Sequence, residues 1–213
     1  MAISDSELAL QHRGPTRKET QLSEAASYGQ LAAANAYFGF IPETTDPVSN
    51  SRILLEERAL DSYYNIIFSL VLFWRVHGVW PIHLTIVSHA FKRKRLVDAH
   101  CTAIGFPLDR VRFIGINPPG IGNDSADSVQ LEAGVSDEKV QAMQGVQEVV
   151  DHWAEDAHGV GYILAGKRRK RNPWNIDQRL FLNDEERQRS GVKSRLLDGG
   201  GEAILDGEIM PWG

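Results

Sequence analysis

The order of apolar runs along this 213-residue chain predicts an α/β protein with a mainly parallel sheet. Three observations carry that reading. Short β-branched runs alternate with helical stretches, the pattern of strand–helix–strand crossovers. One helical stretch is apolar over most of its circumference, as a helix packed deeply against a sheet must be. Hydrophobic residues make up 42% of a chain with one cysteine, so a core can form without a disulfide framework or a Cys-based zinc site.

The elements follow in order. Residues 6–11 read as a short strand ending in the turn His12-Arg13-Gly14-Pro15. Thr20 or Ser23 can cap the next segment, with Glu24 in its first turn, and Leu22, Ala25, Ala26, Leu31, Ala32 and Ala34 sustain a helix to about Phe38. Pro42 and Pro47 mark a loop, and Ile53-Leu54-Leu55 is a strand-type run. Asp61 or Ser62 opens the apolar helix, which runs to about Val76 and stops before Gly78 and Pro81. His83 to Val87 is the clearest strand; Phe91 to Ile104 is a helix closed by Gly105; Val111 to Ile116 is another strand. Gly120 to Gly134 has loop composition, and Asp137 to about Asp156 has helical amphipathicity. After Asn172 periodicity fades, so 1–175 is expected to be the α/β domain and 176–213 an irregular tail. Trp74 and Phe73 are accordingly expected in the core and Trp212 outside it.

Charge and targeting signals narrow the function classes. The net charge of −5 argues against a general nucleic-acid binder. No 18-residue apolar run suggests a membrane span, and the first ten residues have no signal-peptide pattern, so the expectation is an intracellular, cytoplasmic protein. The run Lys167 to Arg171 resembles a nuclear-localisation sequence, but such runs are common on exposed helices. His152 and His158, with Asp151, Glu155 and Asp156, match no metal-ligand spacing, so no metal is expected. His100 and Cys101 are adjacent on a helix and point about 100° apart, which is no catalytic pairing.

In open parallel sheets, ligands bind at the carboxyl ends of strands, beside helix N-termini. Three polar segments fall there: Gly14, Thr16 and Arg17 with Ser23 and Glu24; Asp61 and Ser62 with Asn65; and Ser88 to Arg95. Each could equally do no more than cap its helix. Lys92-Arg93-Lys94-Arg95 stands at the positive end of a helix dipole, where an anionic ligand or partner carboxylates would compensate it. Lys92 and Arg95, three apart, would then face Ser62 and Asn65 while Arg93 points elsewhere. Glu24 is the only plausible general base in this set.

Taken in order, the segments Gly14 to Tyr28, Glu56 to Asn65 and Thr85 to Arg95, with Gly161-Tyr-x-x-x-Gly-Lys-Arg-x-x-Arg-Asn-Pro173, resemble the fungal branch of the YdcF/SanA/ElyC-like domain-of-unknown-function family. The resemblance covers about residues 8 to 175. It implies a Rossmann-like three-layer α/β/α sandwich with a site over the strand ends, and S-adenosylmethionine as a cofactor or ligand to consider. By position it points to Arg17, Ser23, Glu24, Ser62, Asn65, Ser88, Lys92 and Arg95. Family members open with an apolar strand and Gly-containing loop that this sequence lacks, so an N-terminally truncated domain is expected. Tyr64 replaces a usual Glu, and Lys92 a His of bacterial members. Two functions follow as expectations: a binder of, or enzyme acting on, a small anionic or nucleotide-like compound, or a non-catalytic accessory or interaction protein, with a fungal specialised-metabolite pathway as one setting for it.

Overall fold

A computed structural model describes residues 8–11, 15–39, 53–116, 151–198 and 200–213. The architecture is mixed α/β. Strands β1 (Leu8–Gln11) and β2 (Ile53–Glu56) pair in parallel, with Gln11 opposite Glu56, and helix α1 (Glu24–Ala34) lies between them in sequence. Strands β3 (Leu84–Ser88) and β4 (Val111–Gly115) form a second parallel pair, with Ser88 opposite Gly115. Among the described residues each pair is a separate two-stranded sheet.

Helix α2 (Ser62–His77) joins the two pairs and is the centre of the core. Its ends are built as the sequence requires. The Asp61 carboxylate accepts the Tyr64 N–H at 2.9 Å, and Gly78 closes the helix in the left-handed region at φ 72°. Tyr63, Tyr64, Ile66, Ile67, Phe68, Leu70, Val71 and Trp74 are all buried, whereas Phe73, expected beside Trp74 in the core, is half-buried. Each fully buried side chain of this kind contributes about 1.5–3 kcal/mol of transfer free energy, so this helix dominates the apolar burial. No helix among the described residues is long and apolar enough to cross a membrane.

Two helices depart from expectation. Helix α1 ends at Ala34, where Asn35 caps it and bonds back to the Leu31 carbonyl through its side chain at 2.8 Å. Ala36, Tyr37 and Phe38 then turn at positive φ. The segment expected as one α-helix from Phe91 to Ile104 is a 3-10 turn (Ala90–Lys92) followed by a π-helical stretch (Lys94–Cys101). Its start has no side-chain cap, since His89 makes none, and four successive cations there oppose the dipole of a regular helix. Of the expected 137–156 helix, residues 151–155 are helical, Asp156 follows the helix end, and 137–150 lie outside the described residues, as do Gly14, the Pro42–Pro47 loop and Gly120–Gly134.

The largest correction concerns the C-terminal segment. Residues 176–213 are not an irregular tail. They follow helix α3 (Tyr162–Lys170) and contain helix α4 (Asp184–Ser190) and the antiparallel hairpin β5 (Ser194–Leu196)–β6 (Glu202–Ile204). Leu180, Phe181, Val192, Ile204, Met210 and Trp212 belong to the same core as α2. Trp212, expected outside, is 3% exposed against 6% for Trp74. Its indole stands edge-on to Trp80 and donates to the Ile104 carbonyl at 3.0 Å. A single anchored aromatic needs no periodic neighbours to be buried, so periodicity cannot find it.

Candidate functional site

The carboxyl end of the β1–β2 pair collects the polar groups. Ser23 caps α1, accepting the Ala26 N–H at 2.9 Å, and donates its hydroxyl proton to the Glu57 carboxylate at 2.6 Å. Glu57 follows directly on β2, so this bond fixes the start of α1 beside the end of that strand. Four residues on, Asp61 opens α2. The N-termini of both helices, with their unpaired N–H groups and positive dipole ends, therefore flank one strand end.

Asp61 carries a second partner. Its Oδ2 accepts from Arg168 Nη1 at 2.8 Å, while Arg168 Nη2 donates to the Gly159 carbonyl at 2.8 Å and the guanidinium lies 4.3 Å from the centre of the Tyr64 ring. Asp61 and Arg168 are both buried, so the pair holds α3 against the start of α2. Tyr64 donates its hydroxyl to the Glu202 carbonyl at 2.9 Å. The Tyr at that position thus serves as a core link to the C-terminal hairpin.

Ser62 and His100 meet across the α2–π-helix contact, Oγ to Nε2 at 2.9 Å. His100 is fully buried, and burial, helped by the nearby Arg95 charge, pushes its pKa down to about 3. It is therefore a neutral imidazole, and its Nδ1 has no hydrogen-bond partner among the described residues. The Asn65 Oδ1, one turn along α2 from Ser62, is likewise buried and unpaired. Arg95 is half-buried on the π-helical stretch, close enough for its charge to disfavour a protonated His100. Arg93 instead pairs with Asp98 at 3.2 Å on the exposed surface.

Glu24 is exposed in the first turn of α1. Thr16 is half-buried and Arg17 exposed in the loop before it, and the Trp174 indole holds that loop through the carbonyls of Arg17 and Thr20 at 3.0 and 3.2 Å. Ser88 ends β3, its carbonyl accepting the Ile116 N–H at 2.8 Å. Lys92 is half-buried, with its ammonium 5.9 Å from the centre of the Phe91 ring.

Sequence reasoning missed the carboxylate with the most altered chemistry. Glu56, the last residue of β2, is buried and accepts the N–H groups of Arg58 and Ala59 at 2.8 and 3.0 Å. Burial outweighs those two bonds and raises its pKa to about 7. Nothing in an apolar run followed by Glu-Glu marks one carboxyl as buried. Arg168 was hidden in the Lys167–Arg171 run, although its spacing of four from Leu164 puts both on the buried face of α3. A third feature joins distant residues: Tyr63 and Asp206 contact the two nitrogens of buried His158 at 2.7 and 2.6 Å.

No protein-family model and no solved structure matches the chain. Among curated proteins it is similar to the uncharacterized protein YOR238W of Saccharomyces cerevisiae, at 30% identity over 168 residues. The match takes in 75% of this chain and 51% of the yeast protein, so the chain spans about half the length of that relative.

Proposed function

We propose that the chain is a small-ligand-binding protein with a Rossmann-like three-layer core, taking an anionic or nucleotide-like compound over the carboxyl ends of its parallel strands. The Ser23–Glu57 hydrogen bond carries this reading, because it brings two helix N-termini to one strand end. Arg17, Lys92 and Arg95 supply positive charge, and Asn65 supplies an amide oxygen with no partner among the described residues. S-adenosylmethionine is the first compound to test, on the resemblance to the YdcF-like family. Where a reaction follows binding, the candidate bases are Glu24, exposed beside the cap, and Glu56, whose raised pKa suits proton transfer near neutrality.

Titration calorimetry with S-adenosylmethionine, AMP and inorganic phosphate tests the reading. Saturable binding is expected, weakened by at least about 1.5 kcal/mol in Arg95→Ala and little changed in Arg93→Ala. Equal affinities in wild type and Arg95→Ala would end the anion-site idea. A non-catalytic accessory role is the second reading. It is favoured by the engagement of Ser23 with Glu57, Asp61 with Arg168 and Ser62 with His100. A folded protein that binds none of the three compounds would support it.

A further inference from the structure

The turn after α3 gathers two basic stretches of the chain around one tryptophan. Trp174 donates its indole N–H to the carbonyls of Arg17 and Thr20 at 3.0 and 3.2 Å, so the loop before α1 lies against the end of α3. The turn is preformed. Asn172 accepts the Ile176 N–H at 2.7 Å and donates to the Ile176 carbonyl at 2.9 Å, and Pro173 fixes the backbone before Trp174. The indole keeps its N–H edge on the loop while the residue remains 38% exposed. Of the five tryptophans it alone is exposed.

Cations stand on both sides of that ring. On the loop side Arg17 and Lys18 are exposed. On the helix side Arg169 and Lys170 are exposed in the last turn of α3, whose C-terminal dipole suits them. Arg169 lines one surface cavity with Asn172 and Asn175, which stand on either side of Trp174 in the turn. Buried Arg168, by contrast, is spent on Asp61 and Gly159. Asp177, the carboxylate nearest Trp174 in sequence, is held by Arg179 at 2.5 Å. Glu19 offsets part of the loop charge and leaves the patch net positive.

We propose that this face binds single-stranded nucleic acid, with a base stacked on Trp174 and the phosphate backbone following the cations on either side. An aromatic face between cations suits such a ligand, because every base has a π-face and every linkage a negative charge. The net charge of −5 disfavours contact over the whole surface and leaves this face as a local site. An acidic peptide would use the cations and leave the indole idle. A bilayer needs an aromatic ring that projects into it, whereas the N–H edge of Trp174 is bound to the loop. The proposal does not depend on the strand-end site.

The test is fluorescence anisotropy on the full chain with labelled oligouridine and oligothymidine of about twelve nucleotides, against labelled polyglutamate of the same length. Co-sedimentation with phosphatidylserine vesicles is run beside it. At least one oligonucleotide should bind saturably at low salt, log affinity falling against log salt with a slope of about −2 to −3 for four phosphate contacts. Trp174→Ala, and Arg169→Glu combined with Lys170→Glu at two exposed positions, should each weaken binding about tenfold or more. Trp174→Phe, which drops the loop bonds and keeps a stacking face, should retain most of the affinity. Arg93→Ala, on another element, should change nothing. No binding at about 100 μM protein in low salt overturns the proposal. Affinity unmoved by Trp174→Ala or by the double reversal does so too, as does a loss in Trp174→Phe equal to that in Trp174→Ala. Polyglutamate or vesicles bound as tightly as the oligonucleotides would also overturn it, and would assign the face to an acidic protein or an anionic membrane.

Discussion

Helix α2 and the segment from residue 176 onward bury side chains equally deeply, by different means. Along α2 the apolar residues are continuous, and the helix needs only its caps and its neighbours. In the C-terminal segment the buried side chains are isolated, and polar bonds hold each in place. The centre of that arrangement is Glu202, fully buried in β6. Its carboxylate accepts the N–H groups of Leu180 and Phe181 at 2.9 and 3.2 Å, Arg187 Nε at 2.5 Å and the Ser194 hydroxyl at 2.5 Å. Arg187 also pairs with Asp184. Around it, Gln178 and Arg58 exchange bonds with each other's surroundings, Arg75 pairs with Glu186 at 2.6 Å, and Trp80 donates to the Ser190 carbonyl at 2.9 Å. Burial can thus be specified either by a stripe of like residues or by one charged group that gathers donors from several loops.

The sharpest way to break this comparison is at Glu202. Glu202→Ala strands a half-buried guanidinium edge, a hydroxyl and two backbone N–H groups around a fully buried position, and should cost about 3 kcal/mol, the lower end of the range for breaking a buried charged pair. Ile67→Ala in the middle of α2 should cost about 2–5 kcal/mol for a large-to-small core change. Urea denaturation of both compares them directly. A Glu202 effect below about 1 kcal/mol, the net of one ordinary hydrogen bond, would mean that the hairpin is held by apolar contact after all.

A smaller effect separates the two parts of one anchor. Trp212→Phe keeps an aromatic ring against Trp80 but leaves the Ile104 carbonyl without its donor, and should cost about 2 kcal/mol. Trp74, stacked on Trp80 within the α2 stripe, makes no side-chain hydrogen bond among the described residues, so Trp74→Phe should cost only its lost area. Equal losses in the two variants would show that the indole bond contributes nothing.

The same contrast explains what was legible. Strands β2, β3 and β4 and helix α2 came through because β-branched runs, a 3.6-residue stripe, Asp61 before it and Gly78 after it are all local signals. The cap at Ser23 was legible for the same reason. Glu56, Glu202 and Arg168 were not, because a charged residue looks exposed until the loops that satisfy it are placed around it. Trp212 failed likewise: its partners Trp80 and Ile104 are more than a hundred residues away, and no period connects them. The π-helical turn at Lys94 was signalled only by four cations at a helix start, a pattern that fits several geometries.

The smallest net effect comes from two buried titrating groups of opposite sign, Glu56 at the end of β2 and His100 against α2. Glu56 moves from its ordinary 4.5 to about 7, so between those values the folded state holds a proton that the unfolded chain has released. Its contribution is complete below pH 4.5 and is lost as the pH rises to about 7, at about 1.4 kcal/mol per pH unit. His100 moves from 6.5 down to about 3, so the unfolded chain holds the extra proton, and stability is lost as the pH falls from 6.5 to about 3. Between pH 4.5 and 6.5 the two slopes are equal and opposite, and their sum in the wild type is close to zero. Each single variant should uncover the other group. Glu56→Gln should gain stability with rising pH up to about 6.5, and His100→Phe should lose it up to about 7. Both are read as slopes of unfolding free energy against pH, so a uniform loss of stability from the lost Ser62 bond does not disturb the comparison. A Glu56→Gln profile parallel to the wild type would show that Glu56 is ionised in the folded protein, and would remove it as a proton acceptor poised near neutrality.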